Sequence, residues 1–263
     1  MAIIENGGIC VQKIEGVLMT AGILKEHRLL WYKKPSLRAI YADYYRRIIG
    51  QCISGRSLEI GGGTGNLKEY LQEVVSTDIV YNPWLDTVAD AQALPFTNES
   101  FSNIVAVDVL HHIERPRRFL AEAERVLQPG GRIILIEPAI TLMSWAFYRY
   151  AHPEPVDMHA DPLAEGPLDP NRLPFDANQA IPTLLFSRQS TNMEKAFPSI
   201  GMIKKEYISF FVYPLSGGFR PWCLIPSFLI SPVLRIENAI ASIVGKWLAF
   251  RLFVVLEKKG DSG

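Results

Sequence analysis

Ser57-Leu58-Glu59-Ile60-Gly61-Gly62-Gly63-Thr64-Gly65-Asn66-Leu67 decides how this chain is read. A short β-prone run, SLEI, leads into four glycines within five residues and then into a stretch with helical spacing. Glycine lets main chain approach a ligand with no Cβ in the way, and the amides opening the next helix point at whatever lies there. This is the pattern of a strand-end loop that holds a nucleotide-like ligand. A dinucleotide loop needs glycines in the order GxGxxG. Counted from Gly61, the last of those positions is Asn66, and glycines fall instead at every second residue, Gly61, Gly63 and Gly65. A nicotinamide cofactor is therefore disfavoured.

Working outward, Arg56 to Pro138 alternates strand-like and helix-like runs: SLEI, a helical segment carrying Leu67, Tyr70, Leu71 and Val74, then VVSTDIV, NIVAVDVL, a helical segment carrying Phe119, Leu120, Ala123 and Leu127, and RIILIEP. Alternation of this kind predicts a parallel sheet with helices on its faces.

LEIGGGTGNL, VADAQALPF and FSNIVAVDVLHHIERPRRFLAEAERVLQPGGRIILIEP, in that order, resemble the class I S-adenosylmethionine-dependent methyltransferases, in particular their ubiquinone-biosynthesis-like branch. The resemblance covers Arg56 to Pro138, about a third of the chain. It implies a Rossmann-like α/β fold with a mostly parallel seven-stranded sheet and helices on both faces. It also implies S-adenosylmethionine as cofactor and methyl transfer by direct displacement at the sulfonium. Carried onto this sequence, it places Gly61, Gly62, Gly63 and Gly65 in the cofactor loop and Glu59 near the cofactor's amino acid end. Asp78, with Ile79 beside it, would accept the ribose hydroxyls, Asp90 the adenine amino group, and the backbone of Ala91 would meet the ring. Asp108 and Val109 close the cofactor set. Glu59 has an alternative as an inward-facing residue paired with a backbone amide, and Asp78 as a turn cap. One departure stands out: between VVSTDIV and the strand ending at Asp90 lies only YNPWLDT, too short for the usual linking helix, so Tyr81 and Trp84 are expected to shape the adenine pocket.

The rest of the chain divides into three zones. Residues 1–55 read as a helical segment, with Leu37, Ile40, Tyr41, Tyr44, Tyr45 and Ile48 on one face. Residues 139–198, rich in Pro, Asp, His and Asn, are too long for an ordinary connection and read as a substrate lid or a disordered insert. Residues 199–263 offer strands at Ile203 to Val212 and Leu248 to Glu257 and an apolar helix with Ile236, Ile240, Ile243, Val244 and Trp247, completing the domain begun by the 56–138 core.

Methyl transfer relies mainly on alignment and desolvation. If the acceptor must lose a proton, His111 and His112, just past the fourth strand, are the nearest bases, with helix capping as the alternative for each. Glu137, at the end of the fifth strand, is a candidate substrate contact. His152, Asp157, His159 and Asp161 form a polar cluster read as solvated loop, so no metal is expected.

Lys+Arg and Asp+Glu are both 27, giving zero formal charge and no excess to attract nucleic acid. The acceptor is expected to be a small molecule, or a lipid- or sugar-linked one. Cys10, Cys52 and Cys223 lack the spacing of a zinc site and read as reduced thiols. The opening MAIIENGGIC has no basic n-region before an apolar run, which favours a cytoplasmic location. Trp222 to Leu234 is broken by Pro226 and Pro232 and falls short of the ~18 apolar residues of a spanning helix, so it reads as able to touch a membrane and not to cross one. Two other function classes stay open: a catalytically silent binding or assembly subunit that keeps the fold and, less well supported, a nicotinamide-dependent oxidoreductase.

Overall fold

The computed structural model describes residues 2–260, with side chains from residue 15 onward. Strands β1 (Ser57–Ile60), β2 (Val74–Asp78), β3 (Thr87–Val88), β4 (Phe101–Val107), β5 (Leu127–Pro138), β6 (Ile200–Ile208) and β7 (Arg251–Lys258) form one open sheet in the order β3-β2-β1-β4-β5-β7-β6. The pairs from β3 to β5 are parallel, and β7 runs antiparallel to both of its neighbours. Strand alternation splits the core into two layers. Ile104, Ala106, Ile133 and Leu135 face α3 (Pro116–Val126), whereas Val105, Ile134 and Ile136 face α2 (Pro35–Ile49). Burial on both sides is why these strands read as almost continuous apolar runs. The predicted stripe of α2 is buried throughout, and α1 (Ala2–Lys33) precedes it.

Several expectations are corrected. The helix expected over Leu67 to Val74 is one 3-10 turn, Asn66–Glu69, because Val74 already pairs with Ser57 in the sheet and the chain has too few residues to wind further. The Pro-Gly-Gly turn is a bulge within β5: Phe101 pairs with Leu127 and Asn103 with Arg132, and Gly130 takes φ +77°. β6 ends at Ile208, short of Val212, because α7 (Val212–Ser216) begins there, its first amides held by the Glu237 carboxylate.

Of the two readings of residues 139–198, the structure shows an ordered cover. It contains α4 (Leu142–Tyr150), α5 (Ile181–Thr183) running into a π-helical turn at Leu184–Arg188, and α6 (Ser190–Ala196). The irregular part is tied to the loop after β4: the Asn178 amide donates to His111 O (2.9 Å) and Arg172 Nη2 to His112 O (3.1 Å). The apolar stretch starting at Trp222 does not end at Leu234. It continues through Arg235 and Glu237 as α8 (Ser227–Leu248), 22 residues, long and apolar enough to cross a membrane by length and composition. Cys52 and Cys223 are free, and the Cys10 side chain lies outside the described residues.

Candidate active site

A cavity of about 1,220 Å³ opens over the carboxyl ends of β1, β2 and β4 and is roofed by α1 and the 139–198 segment. Ligands of open α/β sheets bind in this position. Gly61, Gly62, Gly63, Asp78, Ile79, Asp90 and Ala91 line one end; Asp108 and Val109 line the middle; His111, His112, Glu154, Phe175, Tyr213, Phe219 and Arg251 line the other end.

The glycine loop is a cradle that side chains would fill. Gly61 has φ +63°, and a Cβ there would lie 2.4 Å from Val109 Cγ2. Gly65, at φ +73°, turns away from the cavity toward Trp84. Trp84 itself corrects an expectation. Its indole N–H donates to Gly63 O at 2.8 Å and its ring carries the Arg28 guanidinium at 4.8 Å, so it braces the loop from behind. Tyr81, 71% exposed, also stands outside the cavity. The short YNPWLDT connection thus supports the loop, and of the residues expected around the adenine Ile79, Asp90 and Ala91 line the cavity.

Asp78 accepts the amides of Gly63 (2.9 Å) and Val80 (3.0 Å), which keeps a lone pair on each oxygen for ribose hydroxyls. Burial raises its pKa against the pull of those amides. Glu59 receives the Ser76 hydroxyl, and burial pushes its pKa up to about 7. Asp90 Oδ1 accepts the Gln92 amide (2.8 Å). The backbone clearance, the paired acceptors and the cavity volume fit an adenosyl ligand.

At the far end Glu137 departs from its expected role. Completely buried, it touches no cavity surface; Oε1 accepts the amides of Val109 (2.8 Å) and Leu110 (2.7 Å), and Oε2 pairs with His111 Nδ1 at 2.8 Å. It positions His111. Nε2 of His111 lies 3.5 Å from Glu154, in the covering segment. Burial opposes a charge on His111, but the hydrogen bonds and charges of Glu137 and Glu154 override it and raise the pKa to about 9. His111 is therefore an imidazolium at neutral pH. His112, its ring 4.2 Å away, is driven down to about 3 by burial and by that neighbouring charge, and its Nδ1 has no partner. The capping alternative fits neither ring: the following helix, α3, has Arg115 at its N-cap and no side chain capping it.

His111, His112 and Glu154 offer ligand atoms within 4.8 Å of one another. Both His111 nitrogens are already engaged by carboxylates, which accounts for the group as a hydrogen-bonded relay. His152, Asp157, His159 and Asp161 do not converge: His152 faces the cavity, while Asp157 and His159 pair at 3.5 Å in the open.

Sequence reasoning missed three groups. Arg251, buried at the start of β7, meets Asp108 at 3.1 Å, donates to the Tyr148 hydroxyl at 2.6 Å and lies over the Tyr213 ring at 4.2 Å. Lys34, at the α1–α2 junction, donates to the carbonyls of Ser216 (2.6 Å), Gly218 (2.7 Å), Arg220 (2.7 Å) and Trp222 (2.9 Å), fixing the loop that forms one cavity wall. Glu154 is the third. Each acts on a partner more than 40 residues away, and no local pattern marks it.

Residues 58–135 match the methyltransferase domain family. Over 65 residues the chain is 37% identical to a ubiquinone/menaquinone biosynthesis C-methyltransferase of Paracoccus denitrificans, covering 24% of this chain and 26% of that one. Over 123 residues it is 33% identical to a phthiotriol/phenolphthiotriol dimycocerosates methyltransferase of Mycobacterium ulcerans, covering 39% of this chain and 45% of that one. The matches thus span from a quarter to about half the length of these curated relatives. A SAM-dependent methyltransferase structure from Thermotoga maritima shares the fold with TM-score 0.53 at 15% identity, covering 91% of this chain and 99% of that one. Residues 58–135 thus carry a match to the methyltransferase domain, within a fold shared with an S-adenosylmethionine-dependent methyltransferase structure.

Proposed function

We propose that this protein transfers the cofactor's methyl group to an acidic O–H or C–H of a small apolar acceptor of the lipid or quinone class. The carrying observation is the continuity of the cavity. One space joins the Gly61–Asp78–Asp90 end to the His112–Glu154 end, with aromatic walls from Tyr41, Phe175, Tyr213 and Phe219 around the second. The names of the relatives point to the same acceptor class. Cavities of drug-sized ligands measure about 300–1,000 Å³, so this one has room for a nucleoside and an acceptor together.

When bound, S-adenosylmethionine supplies an electrophilic methyl whose bonding electrons return to sulfur. The chain's own residues do the rest. Gly61 to Gly63 set the depth at which the cofactor sits, and Asp78 and Asp90 fix its rotation. His112, held neutral, accepts a hydrogen bond from an O–H acceptor and so aims the oxygen lone pair at the methyl; for a C–H acceptor it takes the proton whose bonding electrons the carbon retains. As the new bond forms, the acceptor's proton becomes strongly acidic, and even a weakly basic imidazole takes it. His111, locked by Glu137 and Glu154, holds His112 in place and keeps it unprotonated beforehand. Isothermal titration with S-adenosylmethionine, followed by radiolabelled methyl transfer to a panel of quinols and hydroxylated lipids, tests the reading. Saturable cofactor binding and labelled product are expected. Absence of binding by folded protein defeats the reading, and binding without product from any acceptor leaves the silent binding subunit in its place.

A further inference from the structure

The outer sides of α4 and α8 carry an apolar surface that the cavity does not use. Along α8, Phe228, Ile236, Ile240, Ile243 and Trp247 form one helical stripe, Phe228 exposed by 77% and Ile243 by 67%. α4 packs beside α8 and adds Leu142, Trp145 and Tyr150, all exposed. A contiguous apolar face from two helices far apart in sequence is a contact surface on general grounds.

Charge selects the occupant. The charged residues of these helices are Arg149, Arg235, Glu237 and Lys246. The acid is turned inward, where Glu237 accepts the amides of Phe210 (3.0 Å), Phe211 (2.7 Å) and Val212 (2.9 Å). The outer side is left with three exposed cations and no anion, among Trp145, Tyr150 and Trp247, side chains suited to headgroup depth. An anionic lipid surface complements this face. A second copy of the chain packed on it about a two-fold axis would oppose cation to cation.

α8 cannot leave the protein to span a bilayer without breaking the fold. Ile230 and Leu234 are in the core, Glu237 caps the β6–α7 junction, and Gly245 lies so close to Tyr207 that a Cβ would sit 2.7 Å away. It can only lie in the membrane plane. The inner sides of the same elements form cavity wall: Phe147 and Tyr148 from α4, and Phe219 and Trp222 from the segment leading into α8.

We propose that the α4–α8 face docks on the anionic surface of a lipid bilayer and that the acceptor enters the cavity from there. The entry route rests on the methyl-transfer reading; the docking does not. The test is flotation of the full chain with phosphatidylcholine vesicles, with and without phosphatidylglycerol. The chain is expected to float with the anionic vesicles and to be released in part by salt. The triple variant Ile236→Ser, Ile243→Ser, Trp247→Ser is expected to bind more weakly by roughly tenfold or more, with its melting temperature and cofactor affinity unchanged. Protein that stays in the aqueous fraction with both vesicle types overturns the proposal. So does a variant that floats like wild type, or sedimentation showing a dimer that the same substitutions dissociate. Measuring cofactor affinity on the same samples separates the two readings: cofactor binding without flotation defeats the docking alone, and flotation without cofactor binding defeats methyl transfer alone.

Discussion

The two ends of the cavity are built in opposite ways. The adenosyl end comes from one contiguous run, Glu59 to Ala91, in which each strand delivers its acid at its own carboxyl end and the glycines leave main chain facing the cavity. The acceptor end is assembled from six segments: α2, the loop after β4, α4 with the covering segment, α7, the loop clamped by Lys34, and the start of β7. At the first end buried charge is held by amides, as Gly63 and Val80 hold Asp78. At the second it is held chiefly by other charges, as in Asp108–Arg251 and Glu137–His111–Glu154, with two amides adding to the hold on Glu137. A site made of backbone tolerates drift in the rest of the chain. A site made of paired charges fails when one partner leaves, because the remaining charge is buried alone.

The largest effect that would break this contrast is kinetic. His112→Ala removes the neutral imidazole beside His111 and is expected to lower kcat by about 10²–10⁴. Cofactor affinity, which belongs to the other end, should not change in titration calorimetry. A parallel loss of cofactor affinity would show that the two ends are not separable.

Next comes the charge relay, read through stability. His111 holds its proton up to about pH 9 in the folded chain, against an ordinary value of 6.5. Its stabilising contribution is therefore complete below pH 6.5 and is lost as pH rises through 9, a change on the order of 3 kcal/mol. Thermal melts should show a melting temperature that falls across this window. Glu59, raised to about 7 by burial, acts in the same direction but from 4.5 upward, so the His111→Asn variant should lose only the alkaline part of the slope. A variant that keeps the full slope would place the titrating group elsewhere.

At the adenosyl end, Asp78→Ala removes a carboxylate that holds the Gly63 and Val80 amides and that the proposed function assigns to the ribose. Lost charge-assisted hydrogen bonds of about 1.5–3 kcal/mol correspond to cofactor affinity weaker by roughly ten- to a hundredfold. Unchanged affinity would remove Asp78 from the site.

The same contrast explains what the chain's sequence discloses. The strands, the loop glycines and the acids Asp78 and Asp90 are legible because their determinants are local: a period of two, a missing Cβ, an acid at a strand end. The lengths of the connections are less legible. The expected helix after Gly65 gave way to one turn because pairing of Val74 with Ser57 claimed the residues it needed. Glu137 looked like a substrate contact from its place at a strand end, and only the folded geometry shows it turned down onto Val109, Leu110 and His111. Arg251, Lys34 and Glu154 could not be assigned, since a lone charged residue does not say which distant atom it will meet.

The smallest effect tests whether the adenosyl end is as self-contained as its sequence suggests. Trp84 sits in the short connection between β2 and β3, and its indole N–H is bonded to Gly63 O while its ring stacks under Arg28 of α1. Trp84→Phe keeps a ring for the guanidinium and deletes the hydrogen bond, worth about 0.5–1.5 kcal/mol. If the glycine loop holds its shape through its own turn geometry and Asp78, cofactor affinity should weaken by at most about tenfold and the melting temperature should drop by only a few degrees. A loss as large as that of Asp78→Ala would mean that the loop depends on its bracing from α1. The contrast between a backbone-built end and a charge-built end would then have to be redrawn with the N-terminal helix counted as part of the cofactor site.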